Sequence, residues 1–173
     1  MFPFRTTFFL VKNNMIRHHF AQMATLIYSQ KQKRSSAVNR MKKDVRWEQR
    51  FQNFERAFIF FDKSCKLDTY DELQGAGLVQ SFEFTFELAW KTLKDYLQNQ
   101  GLEVPFPREV IKQAFTTGLL EDGVLWIEML DKRNELTHTY NQEQAQIAIQ
   151  TIRNKYFLPI EQVYKKMQKL CLV

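Results

Sequence analysis

Apolar residues recur at helical spacing along most of the chain, beginning with an aromatic stretch that follows Asp44. Its large side chains are separated by steps of four and three residues, at Trp47, Phe51, Phe54, Phe58 and Phe61. Charged residues lie between them, so the pattern predicts an amphipathic helix whose aromatic face is buried. Each buried Phe contributes roughly 1.5–3 kcal/mol of transfer free energy, so this helix must pack against other helices.

Two more helices are predicted in the middle of the chain. The first runs from about Glu72 to Gln100, and Gly101 occupies the position that commonly ends a helix. The second is short and covers 108–117, with Pro107 suited to the first helical position and Gly118 at its end. These signals divide the middle of the chain into one long and one short helix.

Two further helices complete the pattern. Asp122 is placed to cap the start of a short helix. The apolar face of this helix comprises Leu125, Trp126, Met129 and Leu130. Asn141 and Gln144 match a capping box, so this helix should end at or before Tyr140, and a long last helix should follow. Pro159 lies inside that last helix and should kink it, releasing one backbone carbonyl.

The sequence contains no sustained alternation of apolar and polar residues, no hairpin dipeptide and no Gly-rich phosphate loop. We therefore expect an all-α fold, an up-and-down antiparallel bundle of three long and two short helices. A length of 173 residues suits one such domain, and 45% hydrophobic with 25% charged residues is typical of a globular chain.

The net charge of +6 is unevenly distributed along the chain. Residues 1–43 hold nine Lys or Arg and no acidic residue, whereas residues 44–173 hold sixteen basic and nineteen acidic residues. The basic character therefore belongs to the first segment and does not predict a basic groove on the domain. We predict a poorly ordered N-terminal extension over 1–43 and a helical domain over 44–173.

Two origins are open for the N-terminal extension. Its apolar start, 1–11, is too short to span a bilayer, which needs about 20 apolar residues. The lack of acidic residues and the many aromatic ones resemble an organelle transit peptide in composition. The favoured alternative places the natural start at Met41, because helical periodicity and acidic residues both begin there, and treats residues 1–40 as upstream sequence.

The two cysteines, Cys65 and Cys171, form neither a metal-binding spacing nor a disulfide framework. This usage suits a reducing compartment, so we expect a cytoplasmic protein. The sequence also lacks a His-Glu-x-x-His motif and a paired-Cys motif. We therefore expect neither a metal ion nor another cofactor.

Candidate chemistry concentrates in the eight residues from Arg133 to Tyr140. Arg133 is a permanent, fork-shaped cation suited to phosphate, and His138 can give or take a proton near neutral pH. The same two side chains could instead serve only the C-terminal end of a helix, where positive charge is favourable. Their spacing alone does not decide between these interpretations.

The geometry of a helix adds a constraint on this segment. At about 100° per residue, Arg133 and Tyr140 share a face, whereas His138 points roughly 140° away from Arg133. One straight helix therefore cannot aim Arg133 and His138 at a single atom. Either the helix ends or bends near Thr137, or a second copy of the motif supplies the missing partner, as in a symmetric dimer.

The pattern Arg-x-x-x-x-His-x-Tyr, formed here by Arg133, His138 and Tyr140 after a Trp-containing amphipathic helix, resembles the signature of HEPN domains (higher eukaryotes and prokaryotes nucleotide-binding). The run QSFEFTFELAWKTLK at 80–94 is similar to the second helix of one branch of that family, the nucleotidyltransferase substrate-binding proteins. Members of this branch are usually encoded beside a small nucleotidyltransferase. The resemblance covers roughly 47–170, and the two motifs together are far more specific than either alone.

The resemblance implies a metal-independent RNA endonuclease that acts as the toxin of a toxin–antitoxin pair. Arg133 would hold the scissile phosphate, and His138 would act as general acid or base. Asn134 would orient the phosphate or His138 by hydrogen bonds. Tyr140 would be the tyrosine to which the partner enzyme transfers adenylyl groups, and the added charge would silence cleavage.

Glu83 and Glu87 lie one helical turn apart, a spacing that could bind a cation or serve as a catalytic pair. More often such a pair is a solvated face, and Lys91 is placed to form an ion pair with Glu87. We retain Glu83 as a supporting residue that faces the motif.

The expected partners are a minimal nucleotidyltransferase as antitoxin, a second copy of the chain in a homodimer, and RNA, with no membrane. A non-enzymatic alternative stays open, in which the chain presents a substrate, or itself, to the nucleotidyltransferase. The acidic balance of residues 44–173 favours a protein partner, because RNA binding gains most of its affinity from phosphate contacts. A plain helical scaffold is the third interpretation and requires the motif match to be accidental.

Overall fold

The computed structural model describes residues 5–136 and 142–172, and every regular element in these ranges is helical. The predicted all-α class is confirmed. The helices are α1 (Arg5–Cys65), α2 (Glu72–Asn99), α3 (Pro107–Thr116), α4 (Gly123–Leu136), α5 (Gln142–Thr151) and α6 (Phe157–Cys171), and a π-helical turn, Ile152–Tyr156, joins the last two. The central element is α2, because it contacts α3, α4, α5 and α6.

The chain divides into two compact units, Met1–Lys42 and Lys43–Val173. Helix α1 contributes to both, so helical backbone is present before the aromatic pattern begins. In the first unit, the described side chains of Leu26 and Tyr28 are more than half exposed. The poorly ordered extension over 1–43 and the domain boundary after it stay predictions.

The core of the second unit contains the predicted aromatic stripe of α1. The members of this stripe are at most 5% exposed: Trp47, Phe51, Phe54, Phe58 and Phe61. Phe61 lies against Phe82 of α2, with ring centroids 6.4 Å apart. Phe58 stacks on Tyr164 of α6, with ring centroids 4.4 Å apart. Aromatic contacts thus join α1 to both α2 and α6.

Local signals set the starts and ends of α2 and α3. Asp71 caps α2 through a reciprocal pair of hydrogen bonds, from Gln74 N–H to Asp71 Oδ1 at 2.7 Å and from Asp71 N–H to Gln74 Oε1 at 3.1 Å. Pro107 occupies the first turn of α3, as predicted. Gly101 and Gly118, which follow α2 and α3, have φ of 87° and 71°, a region that glycine adopts without strain.

The last helix departs from regular α-helical form just before Pro159. The sequence predicted a kink, and the structure has a π-helical turn over Ile152–Tyr156, in which Phe157 N–H donates to the Ile152 carbonyl. Pro159 has no N–H to donate to the Lys155 carbonyl, so regular α-helical pairing is already interrupted next to the wide turn.

Candidate functional site

Arg133 lies near the end of α4, on the side of the helix that is anchored in the core. Asp122 caps the start of α4, as predicted, by accepting a hydrogen bond from Leu125 N–H at 2.9 Å. Trp126 is 1% exposed and packs on Phe86 of α2, with ring centroids 5.5 Å apart. Arg133 is seven positions after Trp126 and therefore shares its helix face, so α4 holds Arg133 against α2. The Arg133 side chain is accordingly only 34% exposed.

Among the described residues, the guanidinium of Arg133 contacts two neighbouring side chains. Its Nη2 forms an ion pair with Glu87 Oε2 of α2 at 3.4 Å. Its Nη1 donates a hydrogen bond to Asn134 Oδ1 at 3.2 Å. Its Nε is buried and has no hydrogen-bond partner among the described residues. The cation therefore has one contact with α2 and one within α4, each through a single terminal nitrogen.

Three nitrogen-bearing side chains converge on the carboxylate of Glu87. Lys91 Nζ pairs with Oε1 at 2.7 Å, and Trp90 Nε1 donates to Oε2 at 2.8 Å, the oxygen that also faces Arg133. Burial alone would raise the pKa of Glu87, but the hydrogen bonds from Lys91 and Trp90, together with the charges of Lys91 and Arg133, lower that pKa. Glu87 is therefore ionised at neutral pH. The predicted ion pair with Lys91 is confirmed.

Glu83, the predicted supporting residue, lies one helical turn before Glu87 on the same side of α2. Burial raises the pKa of Glu83, and the positive charge of Arg133 opposes that rise. The structure therefore brings Glu83 into electrostatic range of Arg133. Asn134 accepts a hydrogen bond from Arg133. A functional part for either side chain stays a prediction.

His138 and Tyr140, the other predicted site residues, lie outside the described residues, as does the predicted cap Asn141. The described part of α4 ends at Leu136. The predicted bend between Arg133 and His138 therefore stays a prediction.

Sequence reasoning missed the contact between Glu87 and Arg133. The two residues are 46 positions apart, and no local pattern states which face of α2 meets α4. Lys91 already accounted for the charge of Glu87, so nothing required a second partner. Trp90 carried one signal about the surroundings of Glu87, because a buried indole N–H needs an acceptor close by.

A second charged cluster lies on the opposite side of α4. Glu128 accepts hydrogen bonds from Lys155 Nζ at 2.6 Å and from the Tyr156 hydroxyl at 3.0 Å. The hydrogen bond from Lys155 lowers the pKa of Glu128, whereas burial and the contact with Glu128 raise the pKa of Tyr156. These residues border an open groove of about 600 Å³ that Val124 and Ile147 also line. The cluster ties α4 to the π-helical turn.

Within the described ranges, no group of three or more His, Cys, Asp or Glu side chains could hold a metal ion. No helix in that part of the chain is long and apolar enough to cross a membrane. The chemistry that the described residues offer around Arg133 is anion binding, since a guanidinium suits phosphate geometry.

Comparison with known proteins finds relatives in sequence and in structure. Over 75 residues, the chain is 35% identical to "Probable ribonuclease HepT" from Haemophilus influenzae, a match that takes in 40% of this chain and 51% of that protein. The chain thus spans about half the length of this curated relative. A crystal structure of a protein from Thermus thermophilus matches with a TM-score of 0.62 and 32% identity, covering 66% of this chain and 98% of that one. The family described as nucleotidyltransferase substrate binding protein like matches residues 49–169, so the resemblance found in the sequence is confirmed and the chain belongs to this family.

Proposed function

We propose that this protein is the toxin of a HEPN and nucleotidyltransferase pair and that it cleaves RNA without a metal ion. The observation that carries the proposal is the half-buried guanidinium of Arg133, held between α4 and Glu87 at the first position of the Arg-x-x-x-x-His-x-Tyr motif. Similarity to a protein named as a probable ribonuclease supports the same activity.

The proposed reaction brings three groups to one phosphodiester. His138 takes the proton of the ribose 2′-hydroxyl as the 2′ oxygen bonds to phosphorus and the bond from phosphorus to the 5′ oxygen breaks. Arg133 binds a non-bridging phosphate oxygen and stabilises the charge that develops there. The protonated imidazole of a second copy gives the leaving 5′ oxygen its proton. The products are a 2′,3′-cyclic phosphate and a 5′-hydroxyl.

A symmetric homodimer is part of the proposal. On a straight helix Arg133 and His138 diverge by roughly 140°, so a second copy would supply the complementary group from across one cleft. Exposed aromatic surface on α1 and α2 supports such an interface. Phe60 and Phe84 are 61% and 55% exposed and, with Leu88, line an apolar groove of about 430 Å³.

Adenylylation of Tyr140 by the partner nucleotidyltransferase would regulate the site. The phenol oxygen bonds to the α-phosphorus of ATP, pyrophosphate leaves, and the phenol proton is released to solvent. The added phosphate binds the guanidinium of Arg133 and repels the phosphates of RNA. Membership of a nucleotidyltransferase-associated family supports this choice of partner.

The second candidate is a non-enzymatic subunit that presents a substrate to the nucleotidyltransferase. The excess of acidic over basic residues in 44–173 favours it, because RNA binding draws on basic surface. The description of the family as substrate-binding supports the same role.

Cleavage of a mixed RNA pool in the presence of EDTA tests the first candidate. We expect the wild type to cleave, and we expect Arg133→Ala and His138→Ala to lose roughly 100-fold or more of the rate. His19→Ala, which changes a histidine outside 44–173, is the matched control and should cleave at the wild-type rate. Wild type that leaves RNA intact would contradict the nuclease and favour the binding subunit.

Intact mass after co-expression with the neighbouring nucleotidyltransferase tests the regulation. We expect the mass to rise by whole adenylyl groups, and we expect Tyr140→Phe to abolish the increase. Tyr70→Phe, which alters a tyrosine that donates to the Ser64 carbonyl, serves as control and should still be modified. An unchanged mass in a complex that still co-purifies would favour the passive binding subunit.

A further inference from the structure

We propose that Glu87 is a positioning residue of this site, a fixed carboxylate on α2 that orients the guanidinium of Arg133 toward the RNA phosphate. The inference rests on the proposed function, because it concerns how Arg133 is presented to a substrate. It adds Glu87, which lies 46 positions before Arg133 in the sequence, to a site otherwise made of one short motif.

The first step of the argument is that Glu87 is held in place without help from Arg133. Lys91 and Trp90, four and three residues along the same helix, donate to different oxygens of its carboxylate at 2.7 and 2.8 Å. Trp90 is itself 8% exposed, so its indole N–H is fixed by the core. A carboxylate anchored in this way loses little freedom when it pairs with the guanidinium of Arg133.

The second step concerns what the contact leaves to Arg133. Glu87 reaches one terminal nitrogen at 3.4 Å, and Asn134 reaches the other at 3.2 Å. Neither contact is the bidentate arrangement in which a carboxylate occupies a whole edge of a guanidinium. Since the two terminal nitrogens of Arg carry four N–H donors, two single-point contacts set its direction and leave terminal donors for an anion.

The third step is the local balance of charge. Lys91 pairs with Glu87, so the Glu87 carboxylate does not cancel the charge of Arg133. Glu83 adds a second carboxylate on the same side of α2, and burial raises its pKa while Arg133 opposes the rise. Glu87 therefore orients the guanidinium of Arg133, while the negative charge of Glu87 is already balanced by Lys91.

An ion pair with a purely structural role would have similar geometry but would respond differently to mutation. Loss of a structural pair changes stability and leaves the rate at which bound substrate is cleaved unaltered. Loss of a positioning residue lowers kcat, because a misdirected guanidinium no longer meets the charge that develops on phosphate. The two roles are therefore separated by measuring kcat and KM individually.

The test compares Glu87→Gln and Glu87→Asp with the matched control Glu128→Gln, which alters a carboxylate on the opposite side of α4 that also accepts from a lysine and an aromatic side chain. We expect Glu87→Gln to lower kcat roughly 10- to 100-fold with a smaller change in KM. Glu87→Asp keeps the charge but shortens the reach, so it should recover part of that loss. Glu128→Gln should leave kcat unchanged.

Nitrogen-15 NMR of the arginine side chains gives a readout that needs no RNA. We expect slow rotation of the Arg133 guanidinium in the wild type and in Glu128→Gln, and faster rotation in Glu87→Gln. Wild-type kcat in Glu87→Gln would overturn the positioning role. If the wild type cleaves no RNA, the proposed function fails, and the NMR signal alone then decides whether Glu87 orients Arg133, with unchanged rotation in Glu87→Gln overturning it.

Discussion

Two ion-paired carboxylates of this protein differ in burial and therefore in what they contribute to stability. Asp95 of α2 is 5% exposed and accepts hydrogen bonds from Arg46, at 2.9 Å, and from Arg50. Asp131 of α4 pairs with Arg108, but both side chains are about half exposed. Water screens the pair of Asp131 much more strongly than the two pairs of Asp95, so Asp95 should matter more to stability.

We expect Asp95→Ala to lower the free energy of unfolding by roughly 1–3 kcal/mol, since both arginines lose their bonds to Asp95, although Arg46 keeps Gln98 as an acceptor and both stay partly solvated. The matched variant Asp131→Ala should cost less than about 1 kcal/mol. Urea unfolding of both variants measures the difference. Equal losses would show that burial of Asp95 does not decide the contribution.

The ionised Glu87 gives the protein a dependence of stability on pH. Despite burial, hydrogen bonds from Lys91 and Trp90 lower its pKa, so the folded state binds its proton less readily than the unfolded chain does. The stability that Glu87 contributes is therefore fully present above its unfolded pKa of about 4.3 and is lost as pH falls through the folded pKa.

We expect the difference in unfolding free energy between wild type and Glu87→Gln to be larger near neutral pH than in the acid range below about pH 4. Urea unfolding at both pH values measures it, with Glu103→Gln as a control for general charge removal. A difference that stays constant with pH would contradict the lowered pKa.

At the scale of the helix, glycines have opposite effects at its end and in its interior. Gly101 after α2 has φ of 87°, and a Cβ added there would meet no atom within 4 Å. Gly77, inside α2, has equally open surroundings but helical backbone. Gly75 is different again, because an added Cβ would lie 2.8 Å from Ile149 Cδ1 of α5. The absence of a side chain at Gly75 lets α2 and α5 approach closely.

We expect Gly101→Ala to lower the free energy of unfolding by roughly 1–2 kcal/mol, because an L-residue is strained at that positive φ. Gly77→Ala should raise it by roughly 0.5–1 kcal/mol, since alanine favours the helix and restricts the unfolded chain. Urea unfolding of the two variants gives both values. A change of the same sign in both would contradict this account of the end of α2.

At the scale of the whole second unit, α2 carries the aromatic contacts that join the other helices. Phe82 is fully buried and lies against Phe61 of α1 and against Tyr156 of the π-helical turn, with ring centroids 6.4 and 5.3 Å apart. Phe84, two residues later on the same helix, is 55% exposed. Removal of one ring therefore opens the core, and removal of the other changes only the surface.

We expect Phe82→Ala to cost roughly 3–5 kcal/mol of unfolding free energy, a large part of the roughly 5–15 kcal/mol typical of a domain. Phe84→Ala should cost less than about 1 kcal/mol in the isolated chain. Thermal unfolding followed by circular dichroism measures both. Similar losses in the two variants would contradict the packing described for α2.

The sequence determined the helices of the second unit, because the signals that define a helix are local. The steps of three and four between aromatic residues predicted the buried face of α1, and the cap at Asp122 and the glycines at Gly101 and Gly118 predicted helix ends. Arg133 and its motif could be chosen from residue chemistry and resemblance alone. All of these depend on residues at most a few positions apart.

Tertiary structure decided which helix faces meet, and with them the surroundings of the site. Glu87 pairs with Arg133, and Asp95 pairs with Arg50, each across about 45 positions of sequence. Many arrangements of the same helices would satisfy their apolar periodicity. The π-helical turn before Pro159 likewise places Tyr156 against Glu128, a contact that no spacing within the last helix encodes. Local patterns fix backbone conformation because their hydrogen bonds close within a few residues, whereas side-chain pairing depends on how the aromatic core packs the helices together.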